Sequence, residues 1–342
     1  MLVALVAVAS ACGSSTPTPT PAPTPPPPTP TPRPAPTARV YTYKDMVVGF
    51  IQTGSDSPWR AANTADFTTT ATADGITLKF VDSQDSFQNQ IAAFHQFDTD
   101  PSVNVIVLDP VEGTGYDAAL KEARAAGKVV VVENLRIDSD PSLYASYVGP
   151  DFVAEGQAAA TAMCGLLTGF APDKHNVVEI SGAVGDSIGM DRSAGFRDAM
   201  GSCGITIPTG LTQNGNWNVP QSKAVMKLFL GHTRNIQGVF AADDTEAIGA
   251  IQAIKAAGLK PGKDIMVVAV DATADGFQSL IAGDLGADIE YNPLMASAVY
   301  DIALKGLNGW VGLPKWIRTK DGQFLASQGA AALQAILATR NY

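Results

Sequence analysis

The chain has 342 residues, 46% hydrophobic and 16% charged, enough apolar material for about two domains. Lysine and arginine total 23 against 33 aspartate and glutamate, giving a formal charge of -10, and no basic cluster offers a footprint for a phosphate backbone, so no nucleic-acid partner is expected. The three cysteines, Cys12, Cys164 and Cys203, lack the paired short spacings and neighbouring histidines of a zinc site, so neither a metal nor a cofactor is expected.

Residues 1–11 read MLVALVAVASA, a short apolar run ending in small residues directly before Cys12. Spanning a bilayer takes about 20 residues, so the run reads as a removable export signal covering 1–12. Ala9, Ser10, Ala11 and Cys12 resemble a bacterial lipobox, although Ala9 stands where Leu is usual and no Lys or Arg precedes the run. Cys12 is therefore the expected lipidation site, anchoring the protein outside the cytoplasm. Residues 13–39 form a spacer in which 14–36 is almost only Pro, Thr, Ala and Ser. Proline fixes φ and removes donors, so the spacer is expected to extend at about 3 Å per residue. Its threonines are candidates for O-linked sugars.

Beyond Arg39, short apolar runs alternate with Ala-rich amphipathic stretches. Strands are predicted at 47–51, 78–81, 103–108, 129–133, 177–180, 236–241 and 265–270. Helices are predicted at 87–97, 116–126, 152–167, 191–200, 221–230 and 245–257, with Gly127 and Gly258 placed to end two of them. Strands without polar alternation, separated by helices, imply parallel sheets covered on both faces, an α/β class. The number of units favours two similar halves, and in such sheets ligands sit beyond the carboxyl ends of the strands.

The loops after the predicted strands are rich in Asp, Asn, Arg and Trp. A sugar presents an apolar C–H face and a rim of hydroxyls that donate and accept, so its site needs an aromatic platform beside charged groups. Trp59 and Arg60 follow the first strand, with Ser57 in the same loop, and Trp217 lies between Asn216 and Asn218. Packing residues on helices are the alternative reading of the tryptophans.

From Met46 onward the chain resembles the periplasmic sugar-binding proteins of the ribose and galactofuranose-binding type that serve ABC transporters. The resemblance is carried by VGFIQTGSDSPWRAANT (48–64), DPVEGTGYDAALKEARAAG (109–127), VGDSIGMDRSAGF (184–196), IGAIQAIKAAGLKPGKDI (248–265) and IEYNPLMA (289–296). It implies the type I fold: two Rossmann-like lobes with parallel sheets, joined by three crossovers, with the ligand in the cleft. The crossovers are expected near Gly149, Pro293 and Lys315, giving an N-terminal lobe of 46–149 plus 293–315 and a C-terminal lobe of 150–292 plus 316–342. It further implies that Trp59 and Trp217 flank the sugar, that Arg60 and Arg192 donate to it, and that Asp109, Asn134, Asp151, Asp243, Asp244, Asp271, Glu290 and Asn292 supply acceptors or brace the hinge. Asn134 and Leu135 stand where the family commonly has Asp then Arg, with Arg136 one place later, and Phe152 replaces a usual Asn; both changes make the pocket less polar.

The expected function is capture of a galactofuranose- or ribose-like monosaccharide by hinge closure and delivery to ABC permease subunits, by a monomer. A sensory module presenting its ligand to a membrane receptor, or a binder of a non-sugar polar metabolite, is the alternative. Enzyme readings fare poorly. The glycine-rich GAVGDSIG (182–189) lacks the spaced dinucleotide fingerprint, and His95, His175 and His232 form no hydrolase or zinc motif. Cys164 and Cys203 both fall in the second lobe, where export permits pairing; two buried free thiols are the alternative.

Overall fold

The structure, a computed structural model, describes residues 39–55, 57–171, 175–340 and 342. The expected signal, Cys12 and nearly all of the spacer lie outside these residues. The chain from Val40 onward begins with β1 (Val47–Gln52), α1 (Pro58–Asp74), β2 (Thr77–Asp82), α2 (Phe87–Thr99), β3 (Val105–Leu108), α3 (Asp117–Ala125), β4 (Val129–Glu133) and β5 (Ser146–Gly149). It continues through α4 (Phe152–Leu167), β6 (Val177–Ser181), α5 (Ser187–Ser202), β7 (Thr212–Asn214), α6 (Val219–His232), β8 (Gly238–Ala241), α7 (Asp244–Ala256), β9 (Met266–Asp271), α8 (Ala274–Ala282) and β10 (Ala287–Glu290). The last elements are α9 (Ala296–Leu307), β11 (Trp316–Arg318), β12 (Gln323–Leu325) and α10 (Ala330–Leu337).

The strands form two sheets of six, in the orders β11-β5-β4-β3-β1-β2 and β12-β10-β9-β8-β6-β7. Every pairing is parallel except that of β10 with β12. Both faces of each sheet are covered, which is why the strands are apolar without alternation. In the first sheet Phe50, Val105 and Val107 join the core shared with α1 and α9, whereas Ile51, Ile106 and Leu108 join the one against α2 and α3. In the second sheet Phe240 and Val268 face α4 and α5, whereas Val239 and Val267 face α6 and α7.

Three passages connect the sheets: β5 to α4, β10 to α9, and β11 to β12. The third differs from expectation. Trp316 to Arg318 pair in parallel with Tyr147 to Gly149, so this stretch belongs to the first lobe and the crossing falls after Arg318, not at Lys315. Its three residues were too short to register as a strand. Helix α5 likewise starts at Ser187, ahead of the expected 191, because Asp186 accepts from the Gly189 N–H at 2.7 Å and caps the helix there. The structure joins Cys164 of α4 to Cys203 at the end of α5 by a disulfide, with Cα atoms 6.4 Å apart.

Helices α4 and α5 touch backbone to backbone. A Cβ on Gly156 would lie 2.0 Å from the Arg192 carbonyl oxygen, and one on Gly195 would lie 2.0 Å from that of Val153. Only glycine allows this approach, and it brings Arg192 of α5 against Glu155 of α4.

Candidate functional site

A cavity of about 250 Å³ lies between the carboxyl ends of the two sheets. The first lobe contributes Ser57, Pro58, Trp59 and Arg60 from the start of α1, and Asn134 after β4. The second lobe contributes Ile188, Arg192, Trp217, Asp243, Asp244, Ile248, Asp271 and Thr273, and Tyr291 comes from the second passage.

Arg192 organises the second-lobe wall. Its side chain is 2% exposed, and its Nε donates to Glu155 Oε2 at 2.7 Å while Nη1 donates to the Ala242 carbonyl at 2.8 Å. The remaining nitrogen, Nη2, lies 3.3 Å from Asp271 Oδ1 but makes no hydrogen bond. Asp244 is its mirror image. Its Oδ2 accepts from the N–H and hydroxyl of Thr273 at 2.7 and 2.6 Å, while Oδ1 is buried with no donor. The wall thus presents a guanidinium nitrogen paired with Asp271 beside the buried Asp244 carboxyl, a donor and an acceptor that one hydroxyl can bond together.

Several residues here hold unusual backbone angles. Asp271 has φ 125° and Ala272 φ 57°, Asn134 φ 64°, and Asn216 and Trp217 φ 54° and 56°. Asn tolerates this region; for the others it costs free energy, met here by specific bonds. The Trp217 N–H donates to Glu246 Oε1 at 3.2 Å, and the Ala272 N–H donates to Asp288 Oδ1 at 3.1 Å. The Trp217 ring packs against Gly182, where a Cβ would come within 2.0 Å of it.

Burial dominates the titration of the second-lobe carboxyls. It pushes Glu155 up to about 8 against the pull of Arg192, Glu246 and Asp288 up to about 7, and Asp271 up to about 6. Asp243 and Asp244 are raised well above the carboxylate range by burial and by their acidic neighbours. Crowded carboxyls around one guanidinium favour a neutral ligand over an anion.

In the first lobe, Trp59 offers the cavity less than a free platform. Its ring stacks on Tyr291 with centroids 4.3 Å apart, its Nε1 donates to the Tyr291 carbonyl at 2.8 Å, and the residue is 6% exposed. Asn134 is committed internally: Nδ2 donates to Asp109 Oδ1 at 2.8 Å and Oδ1 accepts from the Tyr291 hydroxyl. Phe152 packs edge-on against Tyr291, and the Arg192 guanidinium sits over both rings at 5.4 and 5.1 Å.

Of the expected ligand residues, Ser57, Trp59, Arg60, Asn134, Arg192, Trp217, Asp243, Asp244 and Asp271 line the cavity. The others do not. Asp109 is fully buried behind the wall, accepting from the Thr53 N–H at 3.1 Å and Arg60 Nη1 at 3.2 Å. Asn218 caps α6. Asp151 caps α4 and pairs with Arg318 at 3.1 Å, Asn292 donates to Asp321 Oδ1 at 3.2 Å through its N–H, and Glu290 accepts from the Gly322 N–H at 2.7 Å and from Arg340 and Tyr342. These last three bind the passages to one another. Tyr291, Ile188, Ile248 and Thr273 were not expected on the wall. Tyr291 had a signal, since it sits between Glu290 and Asn292, two of the expected ligand residues, at the end of a strand.

Two mostly parallel sheets with a polar and aromatic cavity at their facing carboxyl ends, joined by three passages, define a two-lobed solute trap of the type I periplasmic binding protein class. Residues 48–309 match the family described as periplasmic binding protein domain, and the chain belongs to that family. It is 38% identical over 260 residues to the galactofuranose-binding protein YtfQ of Escherichia coli K12, covering 75% of this chain and 80% of that one. A Mycobacterium smegmatis protein in complex with β-D-fucofuranose superposes with a TM-score of 0.76 at 36% identity, covering 86% of this chain and 96% of the other. The binding component of the arabinose ABC transporter from Shewanella sp. ANA-3, bound to α- and β-L-arabinofuranose, gives 0.76 at 32% identity, over 87% and 99%. The family and these relatives are solute-binding proteins, not enzymes. No described helix is long and apolar enough to cross a membrane.

Proposed function

We propose that this chain is the extracytoplasmic solute-binding lipoprotein of an ABC importer, that it traps a neutral monosaccharide in furanose form, and that it is held at the membrane through Cys12. The observation that carries the ligand class is the Arg192 guanidinium set between Asp271 and Asp244 on the cavity wall. A vicinal diol supplies both an acceptor and a donor to them, at charge-assisted strength. The cavity is below the roughly 300–1,000 Å³ of drug-sized pockets, consistent with a single sugar ring. Pro58, Ile188 and Ile248 give the wall an apolar side suited to ring C–H groups or the methyl of a deoxy sugar. The relatives' own ligands, galactofuranose, fucofuranose and arabinofuranose, support the furanose form.

In this reading the sugar meets Arg192, Trp217, Asp244 and Asp271 on the second lobe, and rotation about the passages brings Trp59 and Arg60 over it. Tyr291, on a passage and in contact with Trp59 and Asn134, couples the two walls. The closed form is then what the permease recognises. The test is tryptophan fluorescence and calorimetric titration with L-arabinose, D-galactose, D-fucose, D-ribose and D-fructose, with D-galacturonate as the anionic control. A neutral sugar is expected to bind, and Arg192→Lys to weaken it by about tenfold or more, since a charge-assisted bond contributes roughly 1.5–3 kcal/mol. Silence across the panel, or preference for galacturonate, overturns the assignment. For the anchor, labelled fatty acid should be incorporated by cells making the full chain and not by the Cys12→Ser variant.

A further inference from the structure

Away from the cleft, on the flank of the first lobe, three donor side chains converge from two neighbouring helices. His95 and Asp98 stand three residues apart on α2 and so share a face, and Glu122 meets them from α3. One donor atom from each lies within 4.8 Å of the other two, and His95 Nδ1 is 2.9 Å from Glu122 Oε2. The second observation is Asp98. Both of its carboxylate oxygens are shut off from solvent and neither accepts a hydrogen bond, whereas buried polar atoms in folded proteins are nearly always partnered. The nearby Lys128 ammonium is committed to the Asp100 and Val103 carbonyls at 2.7 and 2.6 Å, and does not reach Asp98.

We propose that His95, Asp98 and Glu122 form a divalent-metal site, with zinc as its ion, that clamps α2 to α3. An imidazole nitrogen with two carboxylate oxygens is a borderline donor set that suits zinc, whereas calcium and magnesium favour all-oxygen shells of six or more. Three protein ligands leave the fourth tetrahedral position to water. The ion supplies the partner that the Asp98 carboxylate lacks and takes the place of the direct His95–Glu122 contact, and the outer position of the site makes its role structural. The expectation of no metal rested on the cysteines, and this ligand set contains none.

The test uses the full chain stripped with EDTA and titrated with zinc chloride by calorimetry and thermal melting. One zinc per chain is expected, with Tm raised by about 2–3 °C at a tenfold excess over Kd. Magnesium and calcium chloride should give no such response. His95→Ala should abolish zinc binding. Asp98→Asn should also abolish it while raising the Tm of the metal-free protein, because it removes a charge whose two oxygens are shielded and have no donor; this separates loss of the site from loss of the fold. Sugar affinity should be unchanged in both variants. No uptake by the wild-type chain, or equal uptake after either substitution, overturns the proposal.

Discussion

Substituting Gly156 by alanine sets two effects of opposite sign against each other. In a helix interior, alanine gains about 1 kcal/mol over glycine through backbone entropy. At this position, however, the new Cβ would lie 2.0 Å from the Arg192 carbonyl oxygen and 2.8 Å from the Phe196 nitrogen. These are backbone atoms with no rotamer to escape into, so α4 and α5 must part by about 1.4 Å to reach van der Waals contact. Overpacking of this kind costs roughly 1–3 kcal/mol, and the absence of a flexible neighbour puts it at the upper end. The disulfide at the far end of the pair resists the separation. The expected result is a net loss of about 1–2 kcal/mol. Gly165, in the same helix, is the internal control: it is exposed and a Cβ there meets nothing within 4 Å. Gly165→Ala should stabilise by about 0.5–1 kcal/mol. Urea unfolding followed by circular dichroism should therefore place the two variants about 1.5–3 kcal/mol apart. Because parting the helices displaces Arg192, Gly156→Ala should also weaken the sugar. A Gly156→Ala variant as stable as wild type would refute the close approach.

The buried carboxyls make stability fall with rising pH. The folded-state pKa values of Asp271, Glu246, Asp288 and Glu155, about 6 to about 8, exceed the ordinary 3.8 and 4.5, so the fold holds these protons more tightly than the unfolded chain does. The contribution is complete below about pH 4, falls as pH rises through the folded values of about 6 to about 8, and is lost by about pH 9; the urea midpoint should be lower at about pH 9 than at about pH 5.5, and a midpoint that rises would contradict this. Arg136 Nη2 lies 3.3 Å from Asp191 Oδ2, linking a first-lobe loop to α5 through a solvent-exposed pair. Such pairs contribute roughly 0.2–1 kcal/mol, so Arg136→Gln and Asp191→Asn should each raise the sugar Kd by less than about fivefold, non-additively, and the effect should vanish near 0.5 M salt. Additive losses above tenfold would show that these residues act separately. Removing the Cys164–Cys203 bridge, which closes a separation of 39 residues, should cost about 2–4 kcal/mol when both are changed to serine. Equal thiol labelling before and after reduction would show that the bridge does not form.

The α/β class was legible because strands covered on both faces lose their polar alternation, as in VIVL of β3 and VVVVE of β4. The short strands escaped the pattern: Trp316–Arg318 and Gln323–Leu325 are three residues each, and their half-buried side chains carry no run. The site was legible in part for a related reason. A strand-end loop rich in Asp, Asn and Ser is where a ligand would be held, but it is also where the next helix needs its N-cap. Ser57 and Asp243 cap helices and line the cavity, whereas Asp151 and Asn218 cap helices beyond it. Composition is identical in the two cases.

By itself, the sequence determined that this chain builds parallel sheets sheathed in helices, and that its chemistry sits in the loops beyond the strands, because periodicity and local residue choice are properties of neighbours along the chain. Only the tertiary structure decided which of those polar groups face a common space. It turned Asn134 inward to Asp109 and Tyr291, set Trp59 against Tyr291, and put the Arg192 guanidinium with Asp271 and Asp244 on the cavity wall. Whether a buried donor is spent or available depends on partners far along the chain, 232 residues away for Trp59 Nε1 and the Tyr291 carbonyl and 157 for Tyr291 and Asn134, and no local pattern encodes that.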